Sequence, residues 1–215
     1  MSSSSSGETK RVRLSPDERR LQLITLGAEM LAERALEDIS VDDIAKQAGI
    51  SRGLLFHYFT SKNEFHEAIA RQVSAEFLTA TAPDRSLGLF DMLRDSVERY
   101  VDYVEDNRAA YHAILRGPSS YNPGVMTYVN ESRSAIAEIV LTEIPIPLDD
   151  PDRPRLALAV RGWIAFVEET ILTWMSDKPV SREQLVELIV ESLPALALSP
   201  ELSAALRDSQ VDSAR

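Results

Sequence analysis

The chain has 215 residues, of which 44% are hydrophobic and 27% are charged, a composition typical of a soluble globular protein. It contains no cysteine, which excludes disulfide bonds, thiol catalysis and metal sites with cysteine ligands. No segment reaches the roughly 18 consecutive apolar residues of a membrane span, and the serine-rich start lacks the apolar core of a signal peptide. We therefore expect a cytoplasmic protein without a membrane partner.

Charge is distributed unevenly along the chain. Residues 1–62 contain nine basic and nine acidic residues, so residues 63–215 account for the whole formal net charge of −11. Five basic residues cluster near the start: Lys10, Arg11, Arg13, Arg19 and Arg20. If this chain binds DNA, the acidic part would oppose non-specific binding, and the affinity should fall steeply with salt.

The beginning of the chain predicts a disordered basic arm followed by a helix. Residues 1–14 join a serine run to a basic stretch and have nothing to bury. Ser15 is a suitable N-cap, because Pro16 fits the first helical position and Glu18 can complete a capping box. Four apolar residues then recur at helical spacing and predict the inward face: Leu21, Ile24, Ala28 and Leu31.

Residues 40–62 carry the most specific pattern of the chain, two short helices joined by a tight turn. Ser40 is a suitable N-cap, and Asp43 stands in the capping-box position. Gly49 can adopt the left-handed backbone conformation that ends a helix, and Ser51 can cap the next helix. This arrangement is typical of a helix-turn-helix, whose second helix enters the DNA major groove.

The second of these helices carries more large side chains than it can bury. They follow one another without interruption from Leu54 to Phe59, so they point in every direction around the helix. We predict that Leu55 and Phe59, four residues apart, face inward. The residues left available to a partner would be Arg52, Gly53, Leu54, Phe56, His57 and Tyr58. The alternative is a fully buried helix inside a bundle.

Beyond residue 60 the sequence predicts only helices. A capping box at Ser61 and Glu64 opens a helix whose inward face would hold Phe65, Ile69, Val73 and Phe77. Further helices are predicted over residues 86–106, 108–116, 155–176 and 182–198, and another follows the loop 119–124 and runs to about residue 144; a polar tail covers residues 199–215. The predicted fold class is therefore all-α, with a three-helix domain over residues 15–60 and a helical bundle over residues 61–198.

Residues 15–80 resemble the N-terminal domain of the TetR/AcrR family of bacterial transcriptional repressors. The resemblance rests on Ile44-Ala45, Ala48-Gly49-Ile50-Ser51, Leu55, His57-Tyr58-Phe59 and Ser61-Lys62. It implies a DNA-binding helix-turn-helix domain followed by a helical domain for ligand binding and dimerisation. The expected protein is a dimeric repressor, without a cofactor, that a hydrophobic small-molecule effector releases from a palindromic double-stranded DNA operator.

The motif and the resemblance together give nine expected DNA contacts: Ser40, Ser51, Arg52, Gly53, Leu54, Phe56, His57, Tyr58 and Lys62. Arg52 is the best candidate for a base contact, since a guanidinium pairs bidentately with guanine. Leu54 is expected to meet thymine methyl groups. Phe56 stands where the family usually has a phosphate-binding tyrosine, so we expect an apolar contact there.

The first helix of the motif departs from the family pattern. Family members often place a base-reading arginine or a hydroxyl near its start, where this sequence has Val41, Asp42 and Asp43. Acidic residues stabilise the beginning of a helix but repel phosphate. Only Ser40 is therefore expected to contact DNA from this part of the motif.

Residues 155–176 are apolar on almost every side, and such a helix must be covered on both faces. The final predicted helix has a similar excess of apolar residues. Together they predict a four-helix seam between two copies of the chain, as in the resembling family. The expected interface residues are Ile164, Ile171, Trp174, Leu185, Leu188 and Ile189. The alternative is a core formed within one chain.

Aromatic residues and methionine around a few polar groups predict an effector pocket in the second part of the chain. The candidate lining residues are Tyr100, Tyr103, Tyr111, His112, Met126, Tyr128, Asn130, Trp163, Phe166, Glu169 and Thr170. The same residues could instead form ordinary core. The ligand class stays open, because an apolar pocket would suit lipids, acyl thioesters, aromatic metabolites or drugs.

Three other functions remain open from the sequence. An enzyme is disfavoured, because the chain has three histidines, no cysteine and no recognisable metal or nucleophile motif. A helical adaptor could use residues 51–59 to bind a protein, and its binding would then depend little on salt. An activator of the same fold would share every feature described above.

Overall fold

A computed structural model describes residues 14–31 and 33–197. These residues form nine α-helices and no strand, which confirms the all-α prediction. The predicted arm residues Lys10, Arg11 and Arg13 and the predicted tail over residues 199–215 lie outside the described residues. The helices are α1 (Pro16–Met30), α2 (Val41–Gln47), α3 (Arg52–Tyr58), α4 (Lys62–Ala80), α5 (Leu89–Asp106), α6 (Arg108–Arg116), α7 (Pro123–Glu143), α8 (Arg153–Asp177) and α9 (Arg182–Ala197).

Local signals place most of the helix boundaries where the sequence predicts them. The capping box of α1 is complete, since the Ser15 hydroxyl accepts from the Glu18 amide and the Glu18 carboxylate accepts from the Ser15 amide. Two short 3₁₀ turns, Leu36–Asp38 and Pro118–Tyr121, occupy the segments before α2 and after α6. Helix α5 begins at Leu89 rather than at residue 86, because Asp84 and Ser86 form a hydrogen-bonded turn ahead of it.

The predicted inward face of α1 is wrong at one position. Leu21 is 53% exposed, whereas Leu23 and Gly27 are buried together with Ile24 and Met30. The helix is therefore rotated relative to the prediction, so that Gly27 faces α4. A Cβ atom on Gly27 would lie 2.4 Å from the Ile69 side chain, so any larger residue there would force Ile69 to move.

Two hydrophobic clusters organise the described residues. The first joins the buried faces of α1 to α4 and continues into α6 and α7 through Ala110, Ile114, Val125 and Val129. The second is formed by α5, α7, α8 and α9. The N-terminal helices are thus packed on the rest of the chain through α4, α6 and α7, and the domain boundary at residue 60 stays a prediction.

Polar contacts reinforce the packing between the N-terminal helices and the remainder. The Ser119 hydroxyl, in the second 3₁₀ turn, donates to the carboxylate of Glu37 in the first. Among the N-terminal helices themselves, Lys62 Nζ donates to the Glu37 carbonyl oxygen over 2.6 Å. None of the helices in the described part of the chain combines the length and the apolar character needed to cross a membrane.

Candidate nucleic-acid interface and interior cavity

The turn between α2 and α3 has the geometry that its sequence predicts. The Ser40 hydroxyl accepts from the Asp43 amide over 3.0 Å, and the Ser51 hydroxyl accepts from the Leu54 amide over 3.2 Å, so each helix has a side-chain cap. Gly49 has a φ of 64°, a left-handed conformation that glycine adopts without steric cost. The Ile50 amide closes the turn by donating to the Ala45 carbonyl oxygen.

One side of α3 is anchored and the other is open to solvent. Leu55 and Phe59 are fully buried, as predicted, and the Phe59 ring makes an edge contact with Phe65. Leu54 is 40% exposed and Phe56 is 39% exposed, an unusual display of large apolar side chains. The other predicted contacts on this segment are also exposed or half-buried: Ser51, Arg52, Gly53, His57 and Tyr58.

Arg52 is held by two neighbours on this surface. Its Nη1 donates to Asp42 Oδ2 of α2 over 3.0 Å, and its guanidinium lies 5.7 Å from the centre of the Phe56 ring. The sequence predicts only repulsion of phosphate from Asp42, so this contact is a finding of the structure. Helices α2 and α3 thus present one shared polar and aromatic surface.

Two basic residues near the motif contact the protein itself. The Lys62 ammonium is exposed but donates to the Glu37 carbonyl oxygen, so a phosphate contact would have to share that ammonium group. Arg20 lies over the Phe59 ring at 4.8 Å and within 3.7 Å of the Glu64 carboxylate. Arg20 therefore stabilises the position of α3 from behind rather than belonging to a free basic arm.

His66 is a buried polar residue that sequence analysis does not single out. Its Nε2 lies 3.3 Å from the Ile39 carbonyl oxygen, which can only accept, so Nε2 must carry a proton. Burial lowers the pKa of this imidazole below its ordinary value, although the hydrogen bond to Ile39 opposes the shift. His66 is thus held neutral, where it fixes α4 against the segment that precedes α2.

A cavity of about 190 Å³ lies within the helices α4 to α9. Its walls are almost entirely apolar or aromatic. Four residues of the predicted effector pocket line it: Tyr100, Tyr103, Tyr111 and Trp163. The sequence did not assign Phe77 of α4 to the pocket, yet its ring lies 4.9 Å from Tyr100 and 5.3 Å from Tyr103.

Seven residues of the predicted pocket do not line the cavity: His112, Met126, Tyr128, Asn130, Phe166, Glu169 and Thr170. Helical geometry explains most of these errors, because neighbouring residues such as Tyr111 and His112 point in directions about 100° apart. Met126 packs on the first hydrophobic cluster, as does Tyr128, whose hydroxyl accepts from Arg71 over 2.5 Å. The Glu169 carboxylate pairs with Arg116 on the surface.

Two neighbouring pairs of side chains supply part of the polar lining of the cavity. Arg133 of α7 and Glu168 of α8 form a bidentate ion pair, with Nε–Oε1 at 2.9 Å and Nη2–Oε2 at 2.6 Å. The hydroxyl groups of Tyr100 and Tyr111 are hydrogen bonded to each other. Burial raises the pKa of Tyr100 well above its usual range, so its phenol stays neutral. Because the ion pair is internally balanced, these groups bring no net charge to the cavity.

Ser96 of α5 is a polar residue of the cavity wall whose hydroxyl group has no hydrogen-bond partner. Its Oγ is buried and makes no hydrogen bond, although Ser96 lines the cavity. A buried hydroxyl without a partner costs free energy, and such a group in a native structure calls for an explanation. A polar atom of a bound ligand would provide the missing hydrogen bond.

The predicted dimer residues need a correction. Ile164, Ile171, Trp174, Leu185 and Ile189 are all buried in the second cluster of their own chain, whereas Leu188 is 50% exposed. Because apolar residues occur on almost every side of α8, the sequence pattern does not show which side faces the core of the same chain. The exposed stripe of α8 instead contains Leu158, Gly162 and Ala165, and that of α9 contains Leu188 and Leu196.

Comparisons with known proteins agree with this geometry. The profile described as "Bacterial regulatory proteins, tetR family" matches residues 23–69, which contain α2 and α3. The profile described as "Tetracyclin repressor-like, C-terminal domain" matches residues 89–196, which contain α5 to α8 and most of α9. Both parts of the chain therefore match the same kind of regulator.

Individual proteins give the same result. The transcriptional activator FasR of Mycolicibacterium smegmatis is 26% identical over 193 residues, which cover 86% of this chain and 85% of FasR. The crystal structure of FadR from Bacillus subtilis with stearoyl-CoA shares the fold at 22% identity and a TM-score of 0.59, covering 82% of this chain and 97% of that one.

A crystal structure of a tetR-family regulator from Streptomyces coelicolor superposes with a TM-score of 0.78 at 30% identity and covers 93% of this chain and 91% of that one. This extent of similarity, together with the two profile matches, identifies the family. The chain belongs to the TetR family of DNA-binding bacterial transcriptional regulators.

Proposed function

We propose that this regulator is a dimeric repressor whose two copies of α3 read a palindromic operator. The observation that carries the proposal is the open face of α3, where exposed apolar and polar side chains surround Arg52 on a rigidly capped helix. A single helix of this length contacts few base pairs, so useful specificity requires two half-sites. Binding to chromosomal DNA also implies a cytoplasmic location.

The dimer seam is assigned to the exposed stripe of α8 and α9. Leu158 is 73% exposed, and a Cβ atom placed on Gly162 would meet nothing within 4 Å, so the backbone of α8 is open to close approach there. Leu188 and Leu196 extend the apolar surface onto α9. A second copy of the chain would cover these residues and fix the separation of the two α3 helices.

The cavity is proposed as the site of an uncharged hydrophobic effector. A dry cavity of about 150 Å³ is large enough for benzene, and the cavity here, at about 190 Å³, has room for a somewhat larger apolar group. A carboxylate would find Arg133 already paired with Glu168 and would therefore be buried without a counter-ion. The acyl chain seen with the fold neighbour FadR is consistent with an apolar tail in such a site.

The cavity is connected to the DNA-binding helices by α4 and α6. Phe77 of α4 and Tyr111 of α6 both line it. Helix α6 leads directly into the 3₁₀ turn whose Ser119 contacts Glu37, just before α2. A ligand that favours a different position of these two helices would shift the population toward a spacing that does not fit the operator.

Activation of transcription, instead of repression, is a second candidate for the regulatory effect. FasR, which matches most of the chain, is a transcriptional activator, whereas the C-terminal profile is described as tetracyclin repressor-like. The same DNA surface serves either outcome, because the position of the operator relative to the promoter decides the sign. We propose no catalytic activity, since the relatives are regulators.

Selection of bound sequences from a random duplex pool tests the DNA-binding proposal. The wild-type protein should recover an inverted repeat, and Arg52→Ala should lose the preference at one base pair in each half-site. Recovery of no motif by the wild type would overturn the operator proposal. Binding that is also insensitive to salt would favour the protein-binding adaptor.

The effector proposal is tested with two ligands of equal chain length, 1-octanol and octanoate, at pH 7.5. 1-Octanol should raise the unfolding temperature of the protein, and Trp163→Ala should reduce this effect because the indole lines the cavity. Octanoate should give a much smaller rise. Equal or stronger stabilisation by octanoate would contradict the assignment of an uncharged ligand.

A further inference from the structure

Asp42 stands at an unexpected place for an acidic residue. It lies in the first turn of α2 and accepts a hydrogen bond from Arg52 across the turn, on the surface proposed to face DNA. Both side chains are open to solvent, with 62% of Asp42 and 63% of Arg52 exposed. A carboxylate on such a surface repels phosphate and lowers the affinity for any DNA.

Folding stability does not explain the pair. Two exposed side chains of opposite charge contribute little to the stability of the folded state, because water screens their attraction. Asp43, the next residue, supplies the same favourable charge to the start of α2 and pairs with Arg34 instead. The contact between Asp42 and Arg52 should therefore affect DNA binding more than folding, because bound DNA displaces the water that screens the two charges.

We propose that Asp42 is a positioning residue that aims Arg52 at a single base pair and so increases specificity at the expense of affinity. The inference rests on the proposed function, since it requires Arg52 to face the major groove. It adds to the DNA surface an acidic residue for which the sequence predicts only repulsion.

The geometry of the guanidinium supports this role. Arginine has five N–H groups, and Asp42 takes one on Nη1, which leaves the edge formed by Nε and Nη2 free. That edge can donate two parallel hydrogen bonds to O6 and N7 of guanine. The Phe56 ring, 5.7 Å from the guanidinium, restricts its movement from another side. Without Asp42 the flexible Arg52 side chain could turn to the nearest phosphate, which carries no sequence information.

The test compares Asp42→Ala with Asp43→Ala, which removes the same charge from the same helical turn but leaves Arg52 paired. Each variant is measured against the selected operator, against operators changed at single base pairs, and against mixed-sequence DNA. Asp42→Ala should bind mixed-sequence DNA more tightly than the wild type. Its discrimination at the base pair read by Arg52 should fall about tenfold, whereas discrimination elsewhere should persist. Asp43→Ala should keep the wild-type base preference.

A second substitution separates positioning from a structural effect. In an Arg52→Ala background, Asp42→Ala should leave the base preference unchanged, because the residue that it positions is gone. A uniform rise in affinity of Asp42→Ala for every sequence would show that Asp42 only masks Arg52, and would overturn the inference. If the wild type itself has no preferred sequence, the proposed function fails as well, so the two failures are distinguishable.

Discussion

The N-terminal helices and the helical body use the same kind of side chain in opposite ways. In α1 to α3 and the first turns of α4, some large apolar residues are fully buried, such as Phe59 and Phe65, and others are displayed on the surface, such as Phe56. In the body, Phe77 and Tyr103 surround a space instead of filling it. A surface that reads DNA needs rigid support, whereas a sensor needs room for a ligand, and empty room costs packing energy.

The largest effect should come from removing the support of α3. Phe59→Ala deletes a fully buried ring that contacts Phe65, and we expect a loss of about 3–5 kcal/mol in the free energy of unfolding. Urea denaturation followed by circular dichroism measures this loss. Phe56→Ala is the matched control, because the same ring is removed from the exposed face. It should change stability by about 0.5 kcal/mol or less, yet weaken operator binding.

The second-largest effect is expected at the proposed dimer seam on α8 and α9. The double variant Leu158→Glu/Leu188→Glu puts charges on the proposed seam, so it should become a folded monomer whose operator affinity falls by about 100-fold or more. Sedimentation equilibrium and anisotropy measurements with a labelled operator report the two quantities. Leu148→Glu is a suitable control, since Leu148 is 85% exposed and lies on the connector before α8 rather than on either helix of the seam. A double variant that remains dimeric would refute the assigned seam.

The N-terminal region should also be the more sensitive part in mild acid, because of His66. Its pKa is lowered in the folded state by burial, so the unfolded chain binds a proton at a higher pH than the folded chain does. Stability should therefore be unaffected by His66 above its ordinary pKa of about 6.5 and should fall as the pH decreases below that value. Unfolding measured between pH 8 and pH 5 checks this. His66→Gln, which keeps a donor for Ile39, should reduce the dependence, and an unchanged slope would contradict it.

The smallest effect is expected in the cavity wall. Ser96→Ala removes a buried hydroxyl without a partner, so stability should stay the same or rise by about 1 kcal/mol. Binding of 1-octanol should weaken if its hydroxyl group bonds to Ser96. Ser132→Ala is the comparison, because that hydroxyl lines the cavity but already donates to the Tyr128 carbonyl oxygen over 3.0 Å. Calorimetric titration of both variants separates the two cases, and equal weakening would remove the special role of Ser96.

Local signals made the N-terminal motif predictable. The caps at Ser40 and Ser51, the positive φ of Gly49 and the inward pair Leu55 and Phe59 all follow from interactions within a few residues. The register of α1 was predicted wrongly at Leu21, because a short apolar pattern fits two rotations of the helix and contact with α4 decides between them. The sequence therefore predicts those features of this region that depend on residues close to one another in the chain.

Long-range packing made the body harder to predict. Arg133 and Glu168 are 35 residues apart, and nothing near either residue indicates that they pair inside a cavity. In α8 apolar residues lie on nearly every side, so the pattern alone could not separate buried Ile164 from exposed Leu158. The sequence therefore predicted the existence of the helices, whereas the sides that face the cavity and the surface required the structure.

The central claim is that occupancy of the interior cavity governs the spacing of the two α3 helices and so the affinity for the operator. Operator affinity of the wild-type dimer, measured with and without saturating 1-octanol, tests it most directly, with saturation verified by the rise in unfolding temperature. We expect the affinity to fall by about tenfold or more, and we expect little change in Ser96→Leu, whose larger side chain fills part of the cavity. Equal operator affinity of the wild type with and without bound 1-octanol would contradict the account.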